Sequence, residues 1–374
     1  MKKLMPANQD DRLGAKGNLE SATCPLCEKE GASRLFYSRD RVHHLPGTFA
    51  VHCCVDCHAV FIQPWLSDAE LASYYPQAYG RYRHARSLTK KSYRGWQRLV
   101  LEHYYGYPSK DGPTSRFFKK APAFLLSFVT AKEVFPYRGT GKILDIGCGG
   151  GSFLYRLKQW GWDTYGVEPS KTGAEQARAL GLTVFHGTLS ESQFENAFFD
   201  VIRLSHVLEH LKEPTVVFRE IDRILKPDGR IYLTVPNTRS LGFWLFQENW
   251  YALDSPRHVI SYCPKTLQTL CDATGFEIAQ VRYTAGPFTF VRSIDYFLQE
   301  RGKDWPRWIK KIDWPRNKAM RRALKPFFFC VDAAGFGDFL HATLKKKPSL
   351  VQRFVLTWPA EAAIQGKLSN EQTV

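Results

Sequence analysis

The period of the apolar positions changes several times along the chain, and those changes outline its elements. Residues 142–146 are a β-branched and aliphatic run, a cluster of glycines follows, and a helical pattern opens at Ser152. That stretch predicts a strand, a tight turn and a helix. Further strands are expected over 164–169 and 199–205, the latter running into a polar loop, and 224–236 supplies a turn and a fourth core strand. A helix over 265–274 stops at Gly275, a strand follows over 277–283, and a last strand spans 339–345. Strands alternating with helices argue for an α/β fold, a mostly parallel sheet with helices on both faces. Upstream, 34–37 and 49–53 read as short strands, 96–103 carries a helical pattern, and 124–129 reads as an apolar helix. The first 22 residues are polar and aperiodic and read as a disordered lead.

The glycine turn is where the candidate chemistry begins. Gly147, Gly149 and Gly151 remove side chains that would keep a ligand off the backbone, and the helix behind them presents unpaired N–H groups. A nucleotide-like ligand fits there. A nicotinamide dinucleotide site or a purely structural turn would share the feature. Asp145, two residues before the first glycine, stands where dinucleotide sites usually carry an apolar residue. Glu168 ends the second strand, the position of an acceptor for two ribose hydroxyls, although a capping or surface carboxylate would look the same. His206 and His210 flank Glu209 at helical spacing, which suits a metal or acid–base pair, or a histidine packed at a helix start.

Taken in order, these motifs strongly resemble those of class I S-adenosylmethionine-dependent methyltransferases over residues 139–348. The resemblance implies a Rossmann-like fold whose final two strands form a reversed C-terminal hairpin. It also implies that Asp145, Gly147 and Gly149 hold the methionine part of the cofactor and that Glu168 binds its ribose. Ser205 and His206 would then lie beside the methionine carboxylate or the substrate, and Thr188 and Leu189 beside adenine. A histidine near position 258 recurs in similar methyltransferases. Here it sits in a polar loop, residues 254–258, expected to open at the cleft, so His258 is the candidate base with Asp254 orienting its ring. Tyr251 or Arg257 would fix an anionic acceptor. A capping or packing role for His258 carries equal weight.

Cysteine spacing adds a second unit. Cys24 and Cys27, and Cys54 and Cys57, form two Cys-x-x-Cys knuckles around strand-like segments, the layout of a zinc ribbon. Four thiolates would hold a structural Zn²⁺ with no open position, and a unit this small needs a metal to be stable. Free thiols or a redox pair are the alternative. Cys53 and His52 compete with Cys54, but only Cys54 completes a knuckle with Cys57. A zinc-ribbon-like segment before such a core is similar to a subgroup of bacterial methyltransferases acting on sugars, saccharide precursors and related small molecules, in which glycine commonly follows the second knuckle. His58 stands there in this chain.

Composition narrows the picture only modestly. With 374 residues, 44% hydrophobic and 14% aromatic, the chain can bury a large core and a smaller domain. Nine cysteines, an odd number, suit a reducing compartment. No run of about 18 apolar residues and no signal-like start is found, so a cytoplasmic protein is expected. A net charge of +16 attracts anions, and without an RNA-binding aromatic signature nucleic acid ranks below a membrane surface or small anions. The domains are then a lead (1–22), the ribbon (23–62), a helical connector or cap (63–138), the core (139–348) and a tail (349–374). An aromatic and basic segment at 288–329, with Trp305, Trp308 and Lys310, interrupts the core as a lid or as a patch contacting the inner face of an anionic membrane. The expected activity is methyl transfer to an oxygen of a sugar, lipid-linked or secondary-metabolite acceptor. A non-catalytic protein that keeps the pocket and recruits a saccharide or lipid assembly is the alternative.

Overall fold

The computed structural model describes residues 22–75, 95–109, 113–127, 134–301 and 322–348. Its N-terminal unit is an antiparallel meander of β1 (Ser33–Ser38), β2 (Phe49–Cys53) and β3 (Val60–Gln63). Each cysteine knuckle closes by a backbone bond to its first cysteine, Glu28 N–H to Cys24 O at 2.9 Å and His58 N–H to Cys54 O at 3.1 Å. Glu28 and His58 both take left-handed backbone, at φ 59° and 60°. The glycine expected after the second knuckle is thus replaced without changing the turn. Helices α1 (Asp68–Ser73), α2 (Gly95–His103) and α3 (Pro113–Ser127) follow, the last beginning well before the apolar stretch that announced it.

The core then alternates β4 (Lys142–Ile146), α4 (Ser152–Lys158), β5 (Asp163–Glu168), α5 (Lys171–Ala179), β6 (Thr183–His186), β7 (Phe199–Ser205), α6 (Pro214–Ile224) and β8 (Leu225–Pro236). After α7 (Leu241–Phe246) come β9 (Ile260–Ser261), α8 (Pro264–Thr274), β10 (Phe276–Thr284), α9 (Pro287–Arg301), α10 (Lys325–Ala333) and β11 (Phe339–Lys346). A seven-stranded sheet runs β10-β11-β8-β7-β4-β5-β6. It is parallel from β8 to β6, with β11 antiparallel to both β8 and β10. The reversed hairpin is therefore present. Alternate residues of the central strands feed two cores, as a sheet covered on both faces requires. Ile143 and Val201 pack with Phe153, Leu154 and Leu157 of α4 and Ala177 of α5. Leu144, Ile202 and Leu204 pack with Phe218 and Ile221 of α6 and Leu267 of α8. The turn expected before the fourth strand survives as an excursion: β8 is paired at Leu225 and again at Arg230, with one residue, Asp200, opposite the gap. Lys226 closes the gap with an ion pair to Asp200 at 2.7 Å.

The N-terminal unit is built into this core. Strand β3 pairs with β9, Thr266 Oγ1 donates to Cys57 O at 2.9 Å, and Phe49, Val51, Phe61 and Ile62 belong to the same apolar cluster as Leu144 and Leu204. Arg257, with no exposed side-chain surface, ties the two parts together. Its guanidinium donates to Asp40 at 2.7 and 3.1 Å, to Asp254 at 2.6 and 3.1 Å, and to Tyr74 O at 3.0 Å. Burial pushes the Asp40 carboxyl up, but the Arg257 hydrogen bonds, those from the His43 and Val42 N–H groups and the Arg257 charge leave it below its usual value. With a depressed folded pKa, its contribution to stability is present above the ordinary carboxylate range and is lost as pH falls through the folded value. Arg257→Ala leaves the buried Asp40 and the partly buried Asp254 without their cation and is expected to cost about 3–5 kcal/mol of unfolding free energy, measured by denaturant titration near pH 7. A loss below about 1 kcal/mol would show that the network adds little.

The segment expected to interrupt the core begins as an ordered helix. Phe290 of α9 stacks edge-on with Phe246 of α7 (5.1 Å) and Phe328 of α10 (5.3 Å). Phe327 and Phe329 of α10 are exposed. Trp305, Trp308, Trp314 and Lys310 lie outside the described residues, as do the expected lead up to residue 21 and the tail from 349. Among the described residues no helix is long and apolar enough to cross a membrane.

Candidate active site

In a parallel sheet, ligands gather beyond the carboxyl ends of the strands where the chain order reverses, here between β4 and β7. The loops after β4, β5, β6 and β7 all leave from that edge, and they carry the residues singled out from the sequence. The glycine turn has left-handed backbone at Gly147 (φ 68°), Gly149 (φ 57°) and Gly151 (φ 75°). The glycines serve two different ends. A Cβ at Gly147 would strike Val207 at 2.6 Å and one at Gly151 would strike Leu182 and Ala177 at 2.5 and 2.7 Å, whereas space over Gly149 is open. The first and last glycines let the turn pack, and Gly149 leaves its backbone approachable.

Glu168, 6% exposed, holds the turn from β5. Its Oε2 accepts Gly149 N–H at 2.7 Å and its Oε1 accepts Ser170 N–H at 2.9 Å. Asp145 sits deeper, at 1% exposure, and pairs with Arg203 at 2.9 Å, its neighbour across β4 and β7. The Arg203 guanidinium lies 4.0 Å over the Phe153 ring. Arg203 stands outside every motif of the sequence. Its one signal is a basic residue inside the apolar run of β7. On the β6 side, Thr188 gives both its N–H (2.6 Å) and its hydroxyl (2.8 Å) to Glu191, while the Leu189 side chain is buried in the core. The Thr188 hydroxyl is thus committed within its own loop.

Ser205 is the last residue of β7, and His206 follows with a left-handed backbone (φ 56°) that turns the chain into a 3₁₀ turn, Leu208–His210. A non-glycine residue in that conformation is uncommon and concentrates at functional sites. The His206 side chain keeps 29% exposure, packs edge-on against Phe339 at 5.1 Å and has Nδ1 3.3 Å from Glu209 Oε1. Glu209 is fully buried. Burial raises its pKa, yet the His206 contact and the charges of His258, His210 and His206 outweigh that and bring it to about 2. It stays a carboxylate at neutral pH.

The structure corrects the reading of the 254–258 loop. His258 is 7% exposed, its Nδ1 is 2.8 Å from Ala252 O, and its Nε2 faces Glu209 at 3.8 Å and Asp254 at 3.9 Å. The loop folds inward because Arg257 is drawn to Asp40, so His258 does not open at the cleft and Arg257 is not available to an acceptor. Burial, the largest influence, lowers the His258 pKa against the two carboxylates that raise it. His206 is more exposed than His258, Glu209 stands behind it, and Asp254 does face the His258 ring as expected.

At the N-terminal unit, Sγ atoms of Cys24, Cys27, Cys54 and Cys57 converge within 4.8 Å of one another, with Cys24–Cys57 and Cys27–Cys54 at 3.6 Å. Tetrahedral Zn²⁺ with sulfur at about 2.3 Å places ligands roughly 3.8 Å apart, so the donor set fits that ion. Cys53 points instead to Cys54 O at 3.7 Å, and His52 stacks on Phe61, which removes both rivals.

A sequence family described as the methyltransferase domain matches residues 115–281, the span holding the glycine turn, Glu168 and His206. Over those residues the chain carries a methyltransferase domain. Among curated relatives of this domain, a ubiquinone biosynthesis O-methyltransferase of Methylococcus capsulatus is 33% identical over 111 residues, covering 28% of this chain and 46% of that protein. One of Vibrio vulnificus is 31% identical over 112 residues, covering 28% and 47%. The chain thus spans about half the length of the curated relatives it matches. A solved SAM-dependent methyltransferase of Thermotoga maritima is similar at 20% identity and a TM-score of 0.39, over 67% of this chain and 95% of that one.

Proposed function

We propose that the protein transfers the sulfonium methyl of S-adenosylmethionine to an oxygen of a small sugar, lipid-linked or secondary-metabolite acceptor. The observation that carries this is the carboxyl edge of the sheet, where an open glycine turn braced by Glu168 stands beside the half-buried His206. In this reading Gly147, Gly149 and the buried Asp145–Arg203 pair shape the pocket for the amino-acid end of the cofactor, and Glu168 accepts the ribose hydroxyls. The cofactor supplies an activated methyl; the chain supplies position, dryness and a proton acceptor. His206 fills the last role, with Glu209 behind the ring. Relatives named as O-methyltransferases favour oxygen over nitrogen or carbon. The four cysteines hold a structural Zn²⁺, since four thiolates leave no position for substrate. Exposed Phe327 and Phe329 beside a basic stretch of sequence suit contact with an anionic membrane surface.

Calorimetry tests the cofactor site. S-adenosylmethionine should bind and NADH should not. Glu168→Ala should weaken binding at least about tenfold, because a hydrogen bond to a charged group is worth roughly 1.5–3 kcal/mol. Glu168→Gln, which keeps the shape and loses the charge, should fall between. Unchanged affinity in both variants, or preference for NADH, would overturn the assignment. For the surface, binding to anionic vesicles should weaken with added salt and with Phe329→Ser. No binding to such vesicles, or equal binding to neutral ones, would remove the membrane contact.

A further inference from the structure

Behind His206 lies a cluster that proton acceptance alone does not explain. Glu209 has no exposed surface, and neither of its carboxylate oxygens receives a well-aligned hydrogen bond. The groups facing it are imidazoles. His258 Nδ1 lies 2.8 Å from Ala252 O and His210 Nδ1 2.9 Å from Arg257 O. A carbonyl oxygen only accepts, so both Nδ1 atoms carry hydrogen, and Tyr75 OH, 2.9 Å from His210 Nδ1, is a further acceptor there. In each neutral ring the lone pair is then on Nε2. The His258 lone pair meets Glu209 Oε1 at 3.8 Å and Asp254 Oδ2 at 3.9 Å, while Asp254 Oδ1 is already taken by Arg257. The His258 lone pair and the carboxylate oxygens it meets repel in this buried space unless a cation lies among them.

We propose that Glu209, His210 and His258, with Asp254 as a fourth donor, form a binding site for a divalent first-row metal ion such as Zn²⁺, distinct from the four-cysteine site. One ligand atom from each of Glu209, His210 and His258 already lies within 4.8 Å of the others. Two donors of a tetrahedral zinc ion, each at about 2.0–2.2 Å, lie roughly 3.3–3.6 Å apart, so the set closes by about an ångström or less on taking up the ion. Histidines that donate Nδ1–H to backbone carbonyls are oriented for metal binding through Nε2. Two imidazoles and two carboxylates suit zinc, iron or manganese rather than a soft, thiolate-seeking ion. The donors come from the turn after β7 and from the 254–258 loop, so the ion would fasten the loop that holds Arg257 to the edge that presents His206.

The test uses the full chain, saturated with ZnCl2, freed of loose metal and analysed for zinc per protein. Wild type should hold two ions, and His258→Ala and Glu209→Gln one each. Cobalt loading of the same variants checks folding, because an intact four-thiolate site gives an intense sulfur-to-cobalt charge-transfer band whereas nitrogen and oxygen donors give only weak bands. Wild type that binds a single zinc, accounted for by the cysteines, would overturn the proposal and assign the missing positive charge to a proton on His258 Nε2. So would His258→Ala retaining both ions. Should either variant lose the thiolate band, the wild-type stoichiometry decides alone.

Discussion

Cys24→Ser is expected to abolish zinc binding at the cysteine site and to lower the stability of the whole chain. Structural zinc in small thiolate sites contributes apparent binding free energies of about 10–16 kcal/mol, and that energy is folding energy for the unit around it. The effect should not stay local. Strand β3 pairs with β9, Cys57 O accepts from Thr266, and Asp40 of the ribbon side neutralises Arg257 of the core. Loss of the ribbon would therefore strip one face of the main core and leave Arg257 with Asp254 alone. Thermal unfolding with and without a chelator, and elemental analysis of the variant, measure this. A variant without zinc that unfolds at the wild-type temperature would show that the knuckles are packed thiols only.

His206→Ala is expected to lower turnover about 10²–10⁴-fold, the usual contribution of a positioned general base, while S-adenosylmethionine binds nearly as before. Single-turnover methyl transfer from labelled cofactor, with binding followed by calorimetry, separates the two effects. Turnover unchanged in His206→Ala but lost in His258→Ala would mean that the inner histidine reaches the acceptor after all, through a movement of the 254–258 loop. The contrast between these two variants is informative because Glu209 stands between both rings, at 3.3 Å from His206 and 3.8 Å from His258.

Much of the architecture is decided by local sequence. The run at 142–146 and the glycines after it favour a strand and a tight turn, and positions 147, 149 and 151 do take the left-handed backbone that glycine adopts without strain. Alternation in β4 and β7 sends Ile143 and Val201 to one core and Leu144 and Ile202 to the other, which dictates helices on both faces. Knuckle spacing likewise selects Cys54 over Cys53, since only one register completes two matching turns. What only the tertiary structure decided is how segments distant in sequence meet. The polar loop at 254–258 reads as solvent-facing, but Asp40, 217 residues before Arg257, draws it inward and buries His258 with it. Arg203 reads as a misplaced charge until the register sets it beside Asp145. A charge is tolerated inside a protein only with a partner, and the partner's distance along the chain is set by the fold, so periodicity and spacing give the sheet edge but not which histidine faces the cleft.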